Sequence, residues 1–469
     1  MFQRILAWIK ELINKMIGQN SIKEKLNIDV AISTNMAENL QLWSLMYANQ
    51  APWLNDSIKS LNLPAAITSE IARSVTIEMG VEITGSARAD YLSKQFEKVL
   101  PKLREQVEKG AAKGGLIFKP YVNGDQIVVD YVQADMFYPV SFDANGNIIA
   151  CIFADQRTIG NKFYTRLEYH SMTDNGCLIR NLAFKSSTKD VLGNEVPLTS
   201  VEAWAGLQPE ATITGIEKPL FAYFRYPMAN NIDPTSPLGV SCYSRAVNLI
   251  RDADVQWSNL LWEFESGQRA MYVDEIAFKK DKDGNSILPN KRLYRELDTV
   301  GSSIGEGKLF ETWSPTFREV NLLNGLDAIL KRIEYTCGLA YGTLSDPQNI
   351  DKTATEIKTS KQRTFATITD TQKALQNALE ELLYAMDIYA TLYRLAPAGA
   401  YSIAFDFDDS VIVDKDVQFQ QDLRLVSSQI MSKIEFRIRN FGEDEKTAKA
   451  KIAEIQAEQP TDLFQTQEV

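Results

Sequence analysis

The sequence predicts an α+β protein, because strand-type and helix-type periodicity occupy separate stretches of the chain. Three observations carry that reading. From Gly115 to Phe184 apolar and polar residues alternate, with hairpin signals at Asn123-Gly124-Asp125 and Asn145-Gly146-Asn147, where glycine and asparagine supply positive φ. Helical 3–4 spacing dominates on either side of that region. Finally, no glycine or proline interrupts residues 353–396, enough for a helix on the order of 60 Å long.

Taken in order, residues 30–112 read as helices. One opens at Pro64 and runs through Ile71, Val75 and Met79 to Gly80, with proline in its first turn and glycine at its end. A second spans Ala87–Glu108, with Leu92, Phe96, Val99 and Leu100 on one side. In the alternating region, 127–132, 148–153 and 166–172 are expected strands of an antiparallel sheet. Residues 188–218 read as a loop and 220–226 as a further strand. A helix is then expected over Ser241–Ser266, ended by Gly267, with Tyr243, Val247, Ile250, Trp257, Leu261 and Phe264 at helical spacing and Asp254 interrupting the row. Short β-like runs and turns fill 268–322, and a second helix is expected over Leu326–Tyr341. A turn-rich segment, 345–352, leads to the long helix. That helix opens on the capping-box pattern Thr353-Ala354-Thr355-Glu356. Its first half is rich in threonine and its second carries Leu375, Leu379, Leu382, Met386, Tyr389 and Tyr393 on one stripe, so a bend or weak point is expected between them. A strand at Tyr401–Phe407 and two helices complete the chain, the first with a capping box at Ser432–Glu435 and the last starting near Glu443.

Composition narrows the function. The 469 residues suggest about three structural units, and 45% hydrophobic with 24% charged residues is the make-up of an ordinary folded protein. The 61 acids against 50 bases give a net charge of −11. A tight polyanion binder shows a basic surplus, since neutralised phosphates supply most of its affinity, so any contact with DNA is expected to be loose or local. The four cysteines (Cys151, Cys177, Cys242, Cys337) form no C-x-x-C pair and read as buried thiols rather than a disulfide framework. The single histidine, His170, reads as a polar residue at a strand edge, and no His/Cys metal site is expected. Residues 1–18 have an amphipathic pattern broken by Arg4, Lys10, Glu11 and Lys15. That excludes a membrane span or signal peptide and favours a helix docked on protein over one lying on a membrane.

Motifs for catalysis fall short. Gly301–Lys308 approximates a phosphate loop, but Ser302 and Leu309 stand where glycine and a hydroxyl residue are needed, so a hairpin is the better reading. Asp406, Asp408 and Asp409, with Asp414 and Asp416, could attract a divalent cation. They lack EF-hand spacing and read as a strand end followed by helix-capping acids. No nucleophile elbow and no H-E-x-x-H occurs.

Several segments together resemble one family. The order of parts, and the wording of NLQLWSLMYANQAPW (39–53), SPLGVSCYSRAVNLIRDADVQWSNLLWEFESG (236–267), SIAFDFDDSVIVDKD (402–416) and KIEFRIRNFGEDEKTAKAKIAEIQ (433–456), are similar to portal proteins of tailed bacteriophages, especially of siphophages with Gram-positive hosts. The resemblance covers nearly the whole chain and rests on several soft matches rather than one diagnostic motif.

That resemblance implies the portal-protein fold, with wing, stem, clip and crown, and subunits arranged in a ring around a central channel. By it, 1–112 is the N-terminal helical part of the wing and 113–240 its β-rich part. Residues 241–267 and 323–344 are two stem helices flanking a clip at 268–322. Residues 345–352 are a tunnel loop, 353–418 the long wing helix and wing strand, and 419–469 the crown and tail. It further implies a dodecameric, non-enzymatic head–tail connector without cofactor, located at the capsid portal vertex of the virion and assembled in the host cytoplasm. Its implied partners are the terminase large subunit, head-completion or adaptor proteins, the major capsid and scaffolding proteins, and double-stranded DNA passing without sequence specificity. Asp346, Asn349, Asp351 and Lys352 would then belong to the tunnel loop, with Lys358 and Lys361 just beyond it. The lysines are the nearest candidate phosphate contacts, against the plain alternative of solvated side chains at a helix start. Val247, Ile250, Trp257 and Leu261 would pack in the stem, where a lone helix pair leaves apolar surface for neighbours to cover. Two competing readings are another oligomeric phage-head or membrane-associated structural protein, and a metal-dependent phage nuclease using the 406–416 acids.

Overall fold

The computed structural model describes residues 19–77, 79–189, 191–268, 270–274, 279, 280, 282, 294–297, 310–346, 354–407 and 415–458. It divides into two compact units. The larger holds residues up to 77 and 81–405, and the smaller holds 78–80 and 406 onward. Both helices and sheets are present, as an α+β fold requires.

The larger unit begins with α1 (Gln19–Leu26), α2 (Thr34–Tyr47) and α3 (Leu63–Thr76). Pro64 sits in the first turn of α3 as expected, but the helix stops at Thr76; Met79 and Gly80 already belong to strand β1 (Met79–Thr84). The expected helix over Ala87–Glu108 is two helices, α4 (Ala87–Phe96) and α5 (Leu100–Lys113). Pro101 is the cause: it cannot donate to a preceding turn, and it occupies the first turn of α5, where that donor is not needed.

The alternating region forms strands as read. β2 (Gly115–Asn123) pairs with β3 (Gln126–Gln133) in register Asn123 with Gln126, so Gly124 and Asp125 form the two-residue turn. β10 (Ala222–Arg225) pairs with the other edge of β2. The large sheet runs β4 (Phe137–Phe142), β5 (Ile148–Ile159), β6 (Lys162–Thr173), β7 (Gly176–Ser186) and β8 (Asn194–Val196), and β9 (Glu210–Ile213) also pairs with β7. The stretch 188–218, expected to be loop, therefore contributes two edge strands. α1 lies on one face of this sheet, with Ile22 and Leu26 packed against Ile152, Leu167 and Phe184.

His170 is not at a strand edge. It lies on β6 between β5 and β7 and is 1% exposed, with Phe153 and Phe221 packed edge-on at 5.3 and 6.0 Å. Its Nε2 stands 2.7 Å from a Glu168 carboxylate oxygen. All four cysteines are buried free thiols.

After a 3₁₀ turn at Ser244–Ala246 comes α6 (Val247–Ser266). A small sheet follows, ordered β12 (Tyr294–Leu297), β11 (Ala270–Asp274), β13 (Phe310–Trp313). Then α7 runs from Glu319 to Cys337, seven residues earlier than expected at its start and ending at Gly338. α8 (Ala354–Leu392) is one continuous helix with no break between its halves. Of its expected apolar stripe, Leu375, Leu379, Leu382 and Met386 are fully buried and Tyr389 is buried, in a helix that packs on β2 and β10, whereas Tyr393 is exposed. Thr367 and Thr371 bond back to the carbonyls of Arg363 and Thr367, which satisfies their hydroxyls inside the helix. β14 (Ser402–Phe407) pairs with β1.

Among its described residues the smaller unit holds three helices where two were expected: α9 (Lys415–Ser427), α10 (Lys433–Phe441) and α11 (Glu445–Glu458). The capping box at Ser432 forms in full, with Ser432 Oγ accepting from Glu435 N at 3.0 Å and Glu435 accepting from Ser432 N at 2.9 Å. Phe419, Phe436 and Phe441 cluster edge to face. The N-terminal 18 residues, the Gly301–Lys308 segment and Thr353 of the second capping box lie outside the described residues.

Candidate functional site: a helical hairpin and the root of a loop

α6 and α7 pack together as a hairpin. Its inner side explains why the expected row was interrupted. The buried residues of α6 are Ile250, Ala253, Asp254, Ser258, Leu260 and Glu263. Asp254 is 2% exposed and accepts from the Leu61 amide at 2.8 Å and the Trp53 indole at 2.9 Å. Ser258 Oγ accepts from the Lys59 amide at 2.8 Å. Two polar side chains thus fasten the 53–61 segment to α6. Burial pushes the Asp254 carboxyl above its ordinary pKa, against the two hydrogen bonds.

At the far end, Glu263 closes the hairpin. The guanidinium of Arg318 grips its carboxylate with two bonds, at 2.7 and 3.2 Å, and the Arg318 amide adds a third at 3.0 Å. These bonds hold the Glu263 carboxyl below its usual range and raise the Arg318 pKa. The chain leaves and returns through this fork, a geometry that fixes orientation as well as distance.

The outer side is apolar and open. Leu261, Trp262 and Phe264 on α6, and Phe317, Val320 and Leu323 beside or on α7, are exposed, from 38% at Leu261 to 63% at Trp262. A groove of about 380 Å³ runs along α7 between Val320, Leu323, Asp327, Leu330 and Asp346. Of the residues singled out for packing here, Ile250 is buried, Val247 and Trp257 are half-buried and Leu261 is exposed.

Past α7 the chain turns at Gly338, whose φ of +75° is the left-handed conformation that glycine tolerates best. A Cβ there would run into the Thr367 side chain of α8. Arg363 of α8 stacks over the Tyr335 ring at 4.0 Å. Residues 342–346 are then held by α7 itself. Glu334, fully buried, accepts from the amides of Gly342 at 3.1 Å, Leu344 at 2.6 Å and Ser345 at 2.8 Å. Ser345 Oγ also donates to that carboxylate, 2.9 Å from its nearer oxygen. The Asp346 amide donates to Asp327 Oδ1 at 3.0 Å, and Lys331 pairs with the same carboxylate at 2.6 Å. Asp346 is exposed. Asn349, Asp351 and Lys352 lie outside the described residues; Lys358 and Lys361 fall within α8, but their side chains are not described.

Sequence reading did not find Glu334, Asp327, Glu263 or Arg318. A carboxylate on an amphipathic helix looks like any solvated acid until its partners, 8 to 55 residues away, are placed. Among the described residues, no group of three or more His, Cys, Asp or Glu is placed to hold a metal, and no helix is long and apolar enough to cross a membrane. Asp408, Asp409 and Asp414 lie outside those residues.

The region thus combines a hairpin with exposed apolar side chains, a small sheet between its two helices in the chain and a segment, 342–346, tied back to α7. Comparison places the protein in the class of phage portal proteins. The family model for phage portal proteins of the SPP1 Gp6-like kind matches residues 88–462, and the chain belongs to that family. It is a structural component of the virion, with a portal function at the capsid vertex. No curated protein sequence matches the chain. Among 58 matching chains of solved structures, one from the neck of a native GTA particle, computed with C12 symmetry, has a TM-score of 0.44 at 12% identity. The match covers 80% of this chain and 89% of that one.

Proposed function

We propose that this chain forms a closed ring, dodecameric in the virion, whose channel passes double-stranded DNA during packaging, retention and ejection. In this reading α6 and α7 are the stem helices along the channel, and β11–β13 with their connections are the clip that docks the terminase large subunit and later the head-completion or adaptor proteins. Residues 345–352 face the DNA, the β-rich part of 113–240 and α8 build the wing beside the capsid and scaffolding proteins, and 419–469 form the crown. The chain acts as a conduit rather than an enzyme, and assembles in the host cytoplasm.

The observation that carries the reading is the apolar outer face of the hairpin. Six large apolar side chains stand exposed on or beside two adjacent helices, with Phe264 and Phe317 in ring contact, and exposed apolar surface of this kind is what subunit contacts cover. The test is assembly. Purified protein should give rings with a central hole in negative stain, and Trp262→Asp with Val320→Asp should shift it to smaller species with unchanged helix content. Burying a large apolar side chain is worth about 1.5–3 kcal/mol, so the pair should weaken each subunit contact by at least about a hundredfold. A parent protein that stays a compact monomer at high concentration and near-physiological salt would overturn the proposal.

A further inference from the structure

We infer that Glu334 is the positioning residue that sets where the loop after Asp346 leaves the hairpin. α7 already has its helix cap: the amides of Gly338 and Leu339 donate to the carbonyls of Tyr335 and Glu334. The Glu334 side chain therefore does something beyond ending the helix. It reaches amides 8, 10 and 11 residues further on.

The pattern of partners gives the path of the chain. Glu334 and Asp327 are seven residues apart, two helical turns, and so lie on one face of α7. Glu334 takes Gly342, Leu344 and Ser345, and Asp327, nearer the start of the helix, takes Asp346. The segment 338–346 is thus folded back along α7 and tied at two points. The chain reaches Asp346 beside Asp327, ten residues or roughly 15 Å before the helix end at Cys337. Without Glu334 the amides of Leu344 and Ser345 would lose their acceptor and that of Gly342 would keep only Ser345 Oγ, at 3.1 Å, which leaves the Asp327 tie to Asp346 as the other anchor among the described residues. A buried carboxylate is costly unless donors satisfy it, so the clamp is all-or-none rather than graded. Any displacement of α7 is passed directly to the loop exit.

This rests on the proposed role of 345–352 for its consequence, but not for its geometry, and the two can be tested apart. Three variants are compared as full-length rings by hydrogen exchange: Glu334→Gln, which keeps the acceptor oxygen, and Glu334→Leu and Glu334→Ala, which do not. Exchange at Gly342, Leu344 and Ser345 should rise at least about tenfold in the Leu and Ala proteins and stay near the parent level with Gln. Exchange across α8 should not change. If the Ala protein does not assemble, the Leu protein, which fills the space, decides the question. Equal protection in the Leu and Gln proteins would mean that Glu334 is only a filler, and would overturn the inference. Genome retention in virions carrying Glu334→Leu then reads the consequence. Retention should fall with ring formation intact. Raised exchange with parental retention would leave the clamp standing and remove the DNA-facing role of 345–352.

Discussion

At Glu168, burial and charge pull in opposite directions. Burial alone would raise its pKa, but Lys119 at 2.6 Å, His170 at 2.7 Å and Arg166 at 2.9 Å hold the carboxyl well below its ordinary value. A carboxylate with a depressed folded pKa stabilises the fold above its unfolded pKa, and that contribution disappears as pH falls through the folded value. The loss should therefore begin below about pH 4.3, the unfolded value. Glu168→Ala would remove the ion-pair partner of the largely buried Lys119 and Arg166, leaving Asp130 as a more distant acid, at a cost of up to about 3–5 kcal/mol at pH 7. Urea unfolding at pH 7 and pH 3 checks both claims: the variant should be much weaker than the parent at pH 7 and closer to it at pH 3. A constant difference would show that the loss is packing and not charge. His170 is where residue-level reading failed. Alternation showed that it was on a strand, but whether that strand is interior depends on which others pair beside it, and those pairings are not local.

Elements were legible where their causes are local. The two hairpin turns, the Ser432 capping box and the proline start of α3 all follow from residues within four positions and all formed, though in the turns Gly124 and Gly146 take positive φ and the asparagines beside them do not. Boundaries failed where a neighbour decides them. α7 was expected over Leu326–Tyr341 but starts at Glu319, and Gly325 sits inside the helix, where a Cβ would come 3.3 Å from the Gln256 side chain of α6. It serves close helix packing and does not end an element. α9 was missed because its polar sequence lacks a clear apolar stripe. Gly338 offers the test at this scale. Gly338→Ala must place a side chain at positive φ and against Thr367, so it should cost about 1–3 kcal/mol. Thermal unfolding of the variant should show the loss. Thr367→Ala removes the Oγ1 and methyl that a Cβ would meet and should not restore full stability, because the strain of a positive φ remains.

For the whole molecule, the sequence of helical and β-rich regions was readable, although β1, β8, β9 and α9 were not, and which apolar surface stays exposed on the subunit was not readable either. Helical periodicity in α6 picked out Leu261 as an apolar position, but a single chain does not say which apolar side faces its own core and which faces a neighbour. Leu260 took the inner place and Leu261 the outer. Charge is the property that acts at this scale. The chain carries 61 acids and 50 bases, and residues 401–469 alone hold 14 acids against 8 bases. A channel through which a genome slides must avoid firm phosphate contacts, because each one is a brake repeated at every subunit. Binding by phosphate neutralisation scales as salt to a power near the number of contacts, and ordinary non-specific DNA binders reach Kd values of about 10⁻⁴–10⁻⁶ M. The proposed conduit should lie at or above the weak end of that range. Assembled rings titrated with a short labelled duplex at 50–200 mM salt should show a Kd no tighter than about 10⁻⁴ M and a log–log salt slope shallower than about −2. Fluorescence anisotropy gives both numbers. Micromolar affinity with a steep slope would mean that the ring grips DNA through many lysines and arginines, and the low-friction account of its acidic balance would be wrong even if the rings form as proposed.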